Sequence, residues 1–347
     1  MSIVIIILII LAALAAAAVL LVFGVALFAF CRINNKRYNG NKNLRYFTAS
    51  DFPGLLAEPI SFVSDRGQTL RGFLYRREGE NVPKALLVFA HGFGAGHLAY
   101  TTEIDSLASA GYWILAYDAT GCGASDGKNL RGFDQGVTDL RSAIRFAGRD
   151  RRFSGMKKIL VGHSWGAFCV MNALSAESVS GAVAMCGFIS GAKVLAQNTV
   201  GEIFPPLTFL AEWFLRLLNR LRFGRSANRN SLKSIKATEK PLYLLYGSAD
   251  KTVKYRHNGA VVAKKCAGRK NIVCRICEGR GHNPYLTEEA EKSMHQTFSA
   301  IADQKKKDLH RALEMYKEID YAKITEEDAD VMRSIVEFCD RIVREEN

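Results

Sequence analysis

Residues 159–167 read Ile-Leu-Val-Gly-His-Ser-Trp-Gly-Ala. An apolar run ends in Gly162-His163-Ser164-Trp165-Gly166, and a helix-like segment, residues 167–174, follows at once. Gly-x-Ser-x-Gly between a buried strand and a helix is the pattern of a nucleophile elbow. The reason is steric. The serine occupies a very tight strand-to-helix turn with unfavourable backbone angles. Residues two positions away on each side must be small, because strand and helix nearly touch there. The turn lifts the hydroxyl above the sheet and sets it beside backbone N–H groups at a helix start, where negative charge is favoured.

A serine hydroxyl alone is a weak nucleophile. It needs a base to take its proton and a third group to orient that base. In chains built around such an elbow these partners follow in the order Ser, Asp/Glu, His. Here Tyr246-Gly247-Ser248-Ala249-Asp250 closes an apolar run, and Gly279-Arg280-Gly281-His282 follows the last one. Ser164, Asp250 and His282 are therefore the candidate catalytic residues. Each falls in a loop after a strand, where open α/β sheets build their sites. The N–H groups of Trp165 and of Phe93, in the loop His91-Gly92-Phe93, are the candidate oxyanion donors. His163 reads as a packing residue directed away from the serine hydroxyl. Taken singly, Asp250 could cap a helix and His282 could be structural.

Around these residues, apolar strands alternate with helical segments. Strands are expected over residues 59–64, 70–76, 84–90, 112–117, 157–161, 179–186, 242–246 and 272–277. Helices are expected over residues 101–110 and 132–147. The alternation gives an α/β fold with a mostly parallel sheet covered by helices on both faces. About 50 residues between the strands near Phe188 and Pro241 form an insertion rich in Phe, Leu and Trp. It reads as a cap over the site, at about residues 189–238; a core-facing helix is the alternative. Its apolar content also permits contact with a bilayer surface.

Residues 3–30 contain no charge. As a helix they would extend about 42 Å, enough to cross a hydrocarbon core of about 30 Å. A cleaved signal peptide is the rival, but no Lys or Arg precedes the run and the run is long. Arg32, Lys36, Arg37, Lys42 and Arg45 follow it. By the positive-inside rule these put the C-terminal side in the cytoplasm. The expected organisation is a transmembrane anchor (1–31), a basic stalk (32–57, with its polar stretch at 34–50) and a catalytic domain (58–303). A helical C-terminal extension (304–347) follows, with helices at 305–319 and 326–345. Its default role is packing against the domain, with partner binding as the alternative.

Net charge is +13. Residues 301–347 hold 9 Lys/Arg against 13 Asp/Glu, so the positive charge resides in the rest of the chain. No nucleic-acid motif accompanies it. A membrane partner is the simpler explanation, with a solvated basic surface as the bland one. The eight cysteines do not form a dense disulfide pattern. Cys274 and Cys277, three apart on an expected strand, point to opposite faces and would not chelate together. Gly121-Cys122-Gly123 lacks the third glycine of a dinucleotide fingerprint. There is no P-loop and no zinc-binding helix motif, so no cofactor is expected.

Taken together, these motifs resemble the α/β-hydrolase family over about residues 58–303. The resemblance is closest to its serine aminopeptidase-like and monoglyceride-lipase-like branch. It rests on His91-Gly92, on Asp118, Gly121, Gly123 and Ser125, on the elbow at 162–166, on Gly247-Ser248-Ala249-Asp250 and on Gly281-His282. Cys122 stands where histidine is commoner in that branch, and Ala167 where glycine is frequent. The resemblance implies a cap domain at the insertion and cofactor-free hydrolysis. The expected function is a membrane-anchored carboxylic ester hydrolase acting on a small acyl ester or a lipid-like substrate such as a monoacylglycerol or lysolipid. A peptidase or amidase is the second reading, and a non-catalytic membrane scaffold the third.

Overall fold

A computed structural model describes residues 2–79, 82–94, 96–176 and 178–345. Its centre is one eight-stranded sheet in the order β1-β2-β4-β3-β5-β6-β7-β8. The strands are β1 (Leu55–Val63), β2 (Thr69–Arg77), β3 (Leu86–Ala90), β4 (Trp113–Tyr117), β5 (Lys158–His163), β6 (Gly181–Met185), β7 (Leu242–Gly247) and β8 (Ile272–Cys277). β2 pairs antiparallel with both β1 and β4, and β3 to β8 run parallel to one another.

The helices are α1 (Ile3–Asn34), α2 (Thr101–Ser109), α3 (Phe133–Arg149), α4 (Trp165–Ala173), α5 (Gly191–Gln197), α6 (Val200–Ile203), α7 (Thr208–Phe223), α8 (Ser231–Lys236), α9 (Gly259–Cys266), α10 (Glu288–Lys307), α11 (Leu309–Lys317), α12 (Tyr321–Ile324) and α13 (Ala329–Arg344).

The central strands are apolar at nearly every position because both faces are covered. Alternation still sorts them. Leu86, Val88, Leu160, Ala182, Ala184, Leu242 and Leu244 face α3, α4, α8 and α9. Leu87, Phe89, Ile159, Val161, Val183, Met185, Tyr243 and Leu245 face α2, α10 and α13. The C-terminal helix α13 is thus one wall of the core. Val331, Met332, Ile335, Phe338, Cys339 and Ile342 form its inward stripe. Asp340 anchors its outer edge to Lys84 Nζ at 2.9 Å and to the Tyr112 hydroxyl at 2.5 Å.

Two segments differ from expectation. The helix expected over residues 305–319 is broken at Asp308. Three lysines close α10, and the Asp308 side chain accepts from Arg311 N–H to start α11. The segment expected as a stalk lies on the domain instead. Arg37 donates to the carbonyls of Gly127, Gly123 and Ser125 at 2.7, 2.5 and 2.9 Å. Tyr38 pairs with the backbone on both sides of Cys122. A guanidinium can satisfy several loop carbonyls at once, and no sequence periodicity marks such a contact.

A buried acidic pair joins α2 to the C-terminal segment. Burial, the nearby Glu327 carboxylate next, holds the Glu103 carboxyl well above its usual range. Burial raises Glu327 from 4.5 to about 7, despite a hydrogen bond from Ser106 and with Asp105 adding to the rise. A group whose folded pKa is raised contributes stability that is complete below the unfolded value and lost as pH rises through the folded one. Thermal stability is therefore expected to fall between about pH 4.5 and pH 7. Glu327→Gln, which keeps the hydrogen bond without the charge, should flatten that slope in melts taken across this range. An unchanged slope would contradict the assignment.

Candidate active site

The elbow is built from backbone contact. Ser164 sits at φ 55° and ψ −113°, between the last residue of β5 and the first of α4. A Cβ on Gly162 would lie 2.5 Å from the Gly166 carbonyl carbon, and one on Gly166 only 1.8 Å from the Ala90 oxygen. Both atoms are main chain and cannot swing aside. The two glycines let β5, α4 and the end of β3 approach one another, and that approach forces the strained serine.

β7 delivers Asp250 and β8 delivers His282. Asp250 Oδ2 lies 2.7 Å from His282 Nδ1, and Ser164 Oγ lies 2.9 Å from His282 Nε2. The other Asp250 oxygen accepts the N–H groups of Thr252 and Val253 at 2.8 and 2.9 Å. Burial works to raise the Asp250 carboxyl. The hydrogen bond and charge of His282, with those two N–H groups, outweigh it and hold the pKa below the ordinary value. A carboxylate on Nδ1 fixes the proton there and leaves Nε2 free to accept.

Three further residues hold this arrangement. His163 Nε2 lies 2.9 Å from the His282 carbonyl oxygen and Nδ1 lies 3.0 Å from the Tyr100 hydroxyl; that hydroxyl also receives the Gly92 N–H at 3.0 Å. A carbonyl only accepts, so the His163 proton is on Nε2, and the Tyr100 hydroxyl donates to Nδ1. Burial, with the neighbouring His282 second, lowers His163 to about 3, which keeps it neutral. One buried chain of hydrogen bonds therefore links the loop after β3 to the backbone of His282. On the other side, Glu291 of α10 accepts the N–H groups of Gly281 and Asn283 at 2.9 and 2.8 Å, gripping both neighbours of His282.

His163 does pack, as its sequence position suggests, but it also positions His282. Glu291 and Tyr100 carry no motif that would have singled them out. Tyr100→Phe removes the acceptor for Gly92 and the donor to His163, each buried. A loss of about 2 kcal/mol is expected in a denaturant melt. Turnover should fall more than apparent substrate affinity. Unaltered stability and kinetics would contradict this linking role.

The loop after β3 lies beside the elbow. His91 Nδ1 is 2.6 Å from the Gly92 carbonyl and Nε2 accepts from Ala119 N–H, so this buried histidine braces the loop. The Phe93 ring contacts Tyr38, Phe133 and Trp165, giving an aromatic rim next to Ser164. The motif residues Asp118 and Ser125 are structural here. Asp118 accepts from His97 and Ala124, and Ser125 Oγ bridges the Asp118 carbonyl and Arg71 N–H. His163, Cys186 and His282 offer ligand atoms within 4.8 Å of one another. Both ring nitrogens of each imidazole are already hydrogen-bonded.

The parallel sheet, the elbow after β5 and the loops after β7 and β8 define an α/β-hydrolase architecture. The chain has the α/β-hydrolase fold. Residues 81–238 match the family described as serine aminopeptidase, S33. That stretch contains Ser164 and the loop after β3 and ends before Asp250. Among solved structures, the chain is similar to the Pyrococcus furiosus esterase Pf2001 at 19% identity and a TM-score of 0.56. The match covers 78% of this chain and 98% of that one. A second crystal form of the same esterase matches at 18% identity and a TM-score of 0.55, covering 81% and 99%. At these identities the likeness concerns the fold.

Proposed function

We propose that this chain is a membrane-anchored serine hydrolase cleaving carboxylic esters. The observation that carries the reading is the continuous relay from Ser164 Oγ through His282 to Asp250, at 2.9 and 2.7 Å. Ser164 Oγ attacks the acyl carbon while His282 Nε2 takes the hydroxyl proton. The carbonyl electron pair moves to oxygen, where the N–H groups of Phe93 and Trp165 receive it. The tetrahedral intermediate collapses, the alcohol leaves, and His282 returns the proton to it. Water then repeats the sequence on the acyl-enzyme, releasing the acid and restoring Ser164. Asp250 keeps the imidazole in the correct tautomer and stabilises its charged form.

The aromatic rim favours an apolar acyl group over a charged one. Two buried carboxylates on this side of the sheet are already satisfied, which weakens a peptidase reading based on capture of a free ammonium. Asp118 is paired with His97, and Asp134 accepts from Asn219, Asn228 and Arg229. The likeness to an esterase supports the same choice; the matched family's description favours the second reading, an aminopeptidase.

Anchoring is supported by α1, which is long and apolar enough to cross a membrane. Its C-terminal half covers Ala192, Leu195, Ala211 and Leu215 of the insertion. Removing α1 as a signal peptide would bare these side chains to water. The basic residues after α1 favour a cytoplasmic domain. The test is a panel of acyl esters of increasing chain length set against aminoacyl amides, using the full chain in detergent. Faster turnover of the amides at every chain length would refute the ester reading.

A further inference from the structure

We infer that the start of the cap, α6 and the first turns of α7, is embedded in the bilayer leaflet next to the catalytic domain, with α1 at its side. The inference rests on the proposed reading that α1 spans the membrane.

The two helices pack side by side and run in the same direction. Phe23 meets Phe214 with ring centroids 5.0 Å apart. Further along both helices, the Arg222 guanidinium lies 4.7 Å from the Phe30 ring centroid and donates to Asn35 at 2.8 Å. Val22, Ala26, Ala29 and Phe30 are buried in this contact. Residues 3–21 of α1 are all exposed. That uncovered stretch is about 28 Å long, close to the hydrocarbon thickness of about 30 Å. The membrane boundary then falls near Val22 and Phe23, level with Phe214.

Because the helices run in parallel, everything before Phe214 in α7 lies on the membrane side of that level. Large apolar side chains stand in the open there. Phe209 is 72% exposed and Trp213 58%, and Ile203 and Phe204 before the helix are 68% and 56% exposed. Phe209, Trp213, Leu217 and Leu221 recur every fourth residue, so they share one face, while Ala211 and Leu215 face α1 and α5. Water would penalise such a face, and hydrocarbon would not. Trp213 sits at the expected boundary, where indole is favoured. Beyond it, Arg216, Arg220, Arg222 and Arg225 fall toward the headgroups, whose charge they complement. The occupant of this face is lipid because the face continues the uncovered surface of α1. The cap is thereby brought to a substrate held in the same leaflet.

The test uses the full chain in vesicles of phosphatidylcholine and phosphatidylserine, with phosphatidylcholine brominated high on the acyl chain as quencher. The Trp213 signal is the difference between the wild type and Trp213→Phe. Quenching of roughly half of that signal, together with little quenching by acrylamide from the aqueous side, is the expected result. Retention of the protein after alkaline carbonate with a Trp213 signal open to acrylamide and untouched by bromine would overturn the embedded cap while leaving the anchor intact. Release of the protein by carbonate would overturn the anchor and the embedded cap together.

Discussion

Asp250→Asn is expected to lower turnover by about 10⁴-fold with little change in fold or in apparent substrate affinity. The amide cannot accept a proton from Nδ1 as the carboxylate does. It offers its own N–H instead, which favours the opposite tautomer and places the imidazole hydrogen on Nε2, facing Ser164 Oγ. The base is then blocked. The N–H groups of Thr252 and Val253, which now help hold the carboxylate ionised, can still meet the amide oxygen. The loop should therefore stay in place. Steady-state kinetics together with a melt would check this. A loss below tenfold, with a normal melt, would mean that Asp250 is not the residue that orients His282.

Gly166→Ala should act on the fold rather than the rate. A methyl group there would stand 1.8 Å from the Ala90 oxygen and 2.9 Å from that of His91. No rotamer relieves the clash, since the added atom is Cβ and its neighbours are main chain. The end of β3 and the start of α4 must separate, which also displaces the loop carrying Phe93. A loss of more than about 4 kcal/mol is expected, large for a single methyl group. Denaturant unfolding, or failure to accumulate folded protein, would report it. A variant with wild-type stability would show that the elbow is looser than described. Ala167, one residue later, points elsewhere into the core and is fully buried without such a conflict.

How much of this could be read from the chain depends on how each feature is encoded. The sheet was legible because β3, β5, β6 and β7 are short apolar runs bounded by turn residues. Ser164, Asp250 and His282 were legible as candidates because each follows such a run, in the order the fold requires. Residues whose role comes from a distant partner left no comparable mark. Tyr100 meets His163 across 63 positions, and His163 meets His282 across 119. Glu291 grips the histidine loop from a helix that the sequence reading did not identify. Arg37 falls in a polar, basic stretch that follows the apolar segment, and composition alone makes such a stretch read as a stalk. Its three carbonyl partners belong to a loop almost ninety residues away. The break between α10 and α11 at Asp308 was missed for a different reason: apolar spacing continued through it, and one capping side chain decided the matter.

A fluorophosphonate probe applied to the purified full-length protein gives the most direct check on the central claim, because it reacts only with a serine whose proton a neighbouring base can remove. Wild type should be labelled on Ser164, and Ser164→Ala, with an unchanged melt, should not be. Folded wild-type protein that stays unlabelled, or labelling that survives in Ser164→Ala, would contradict the account.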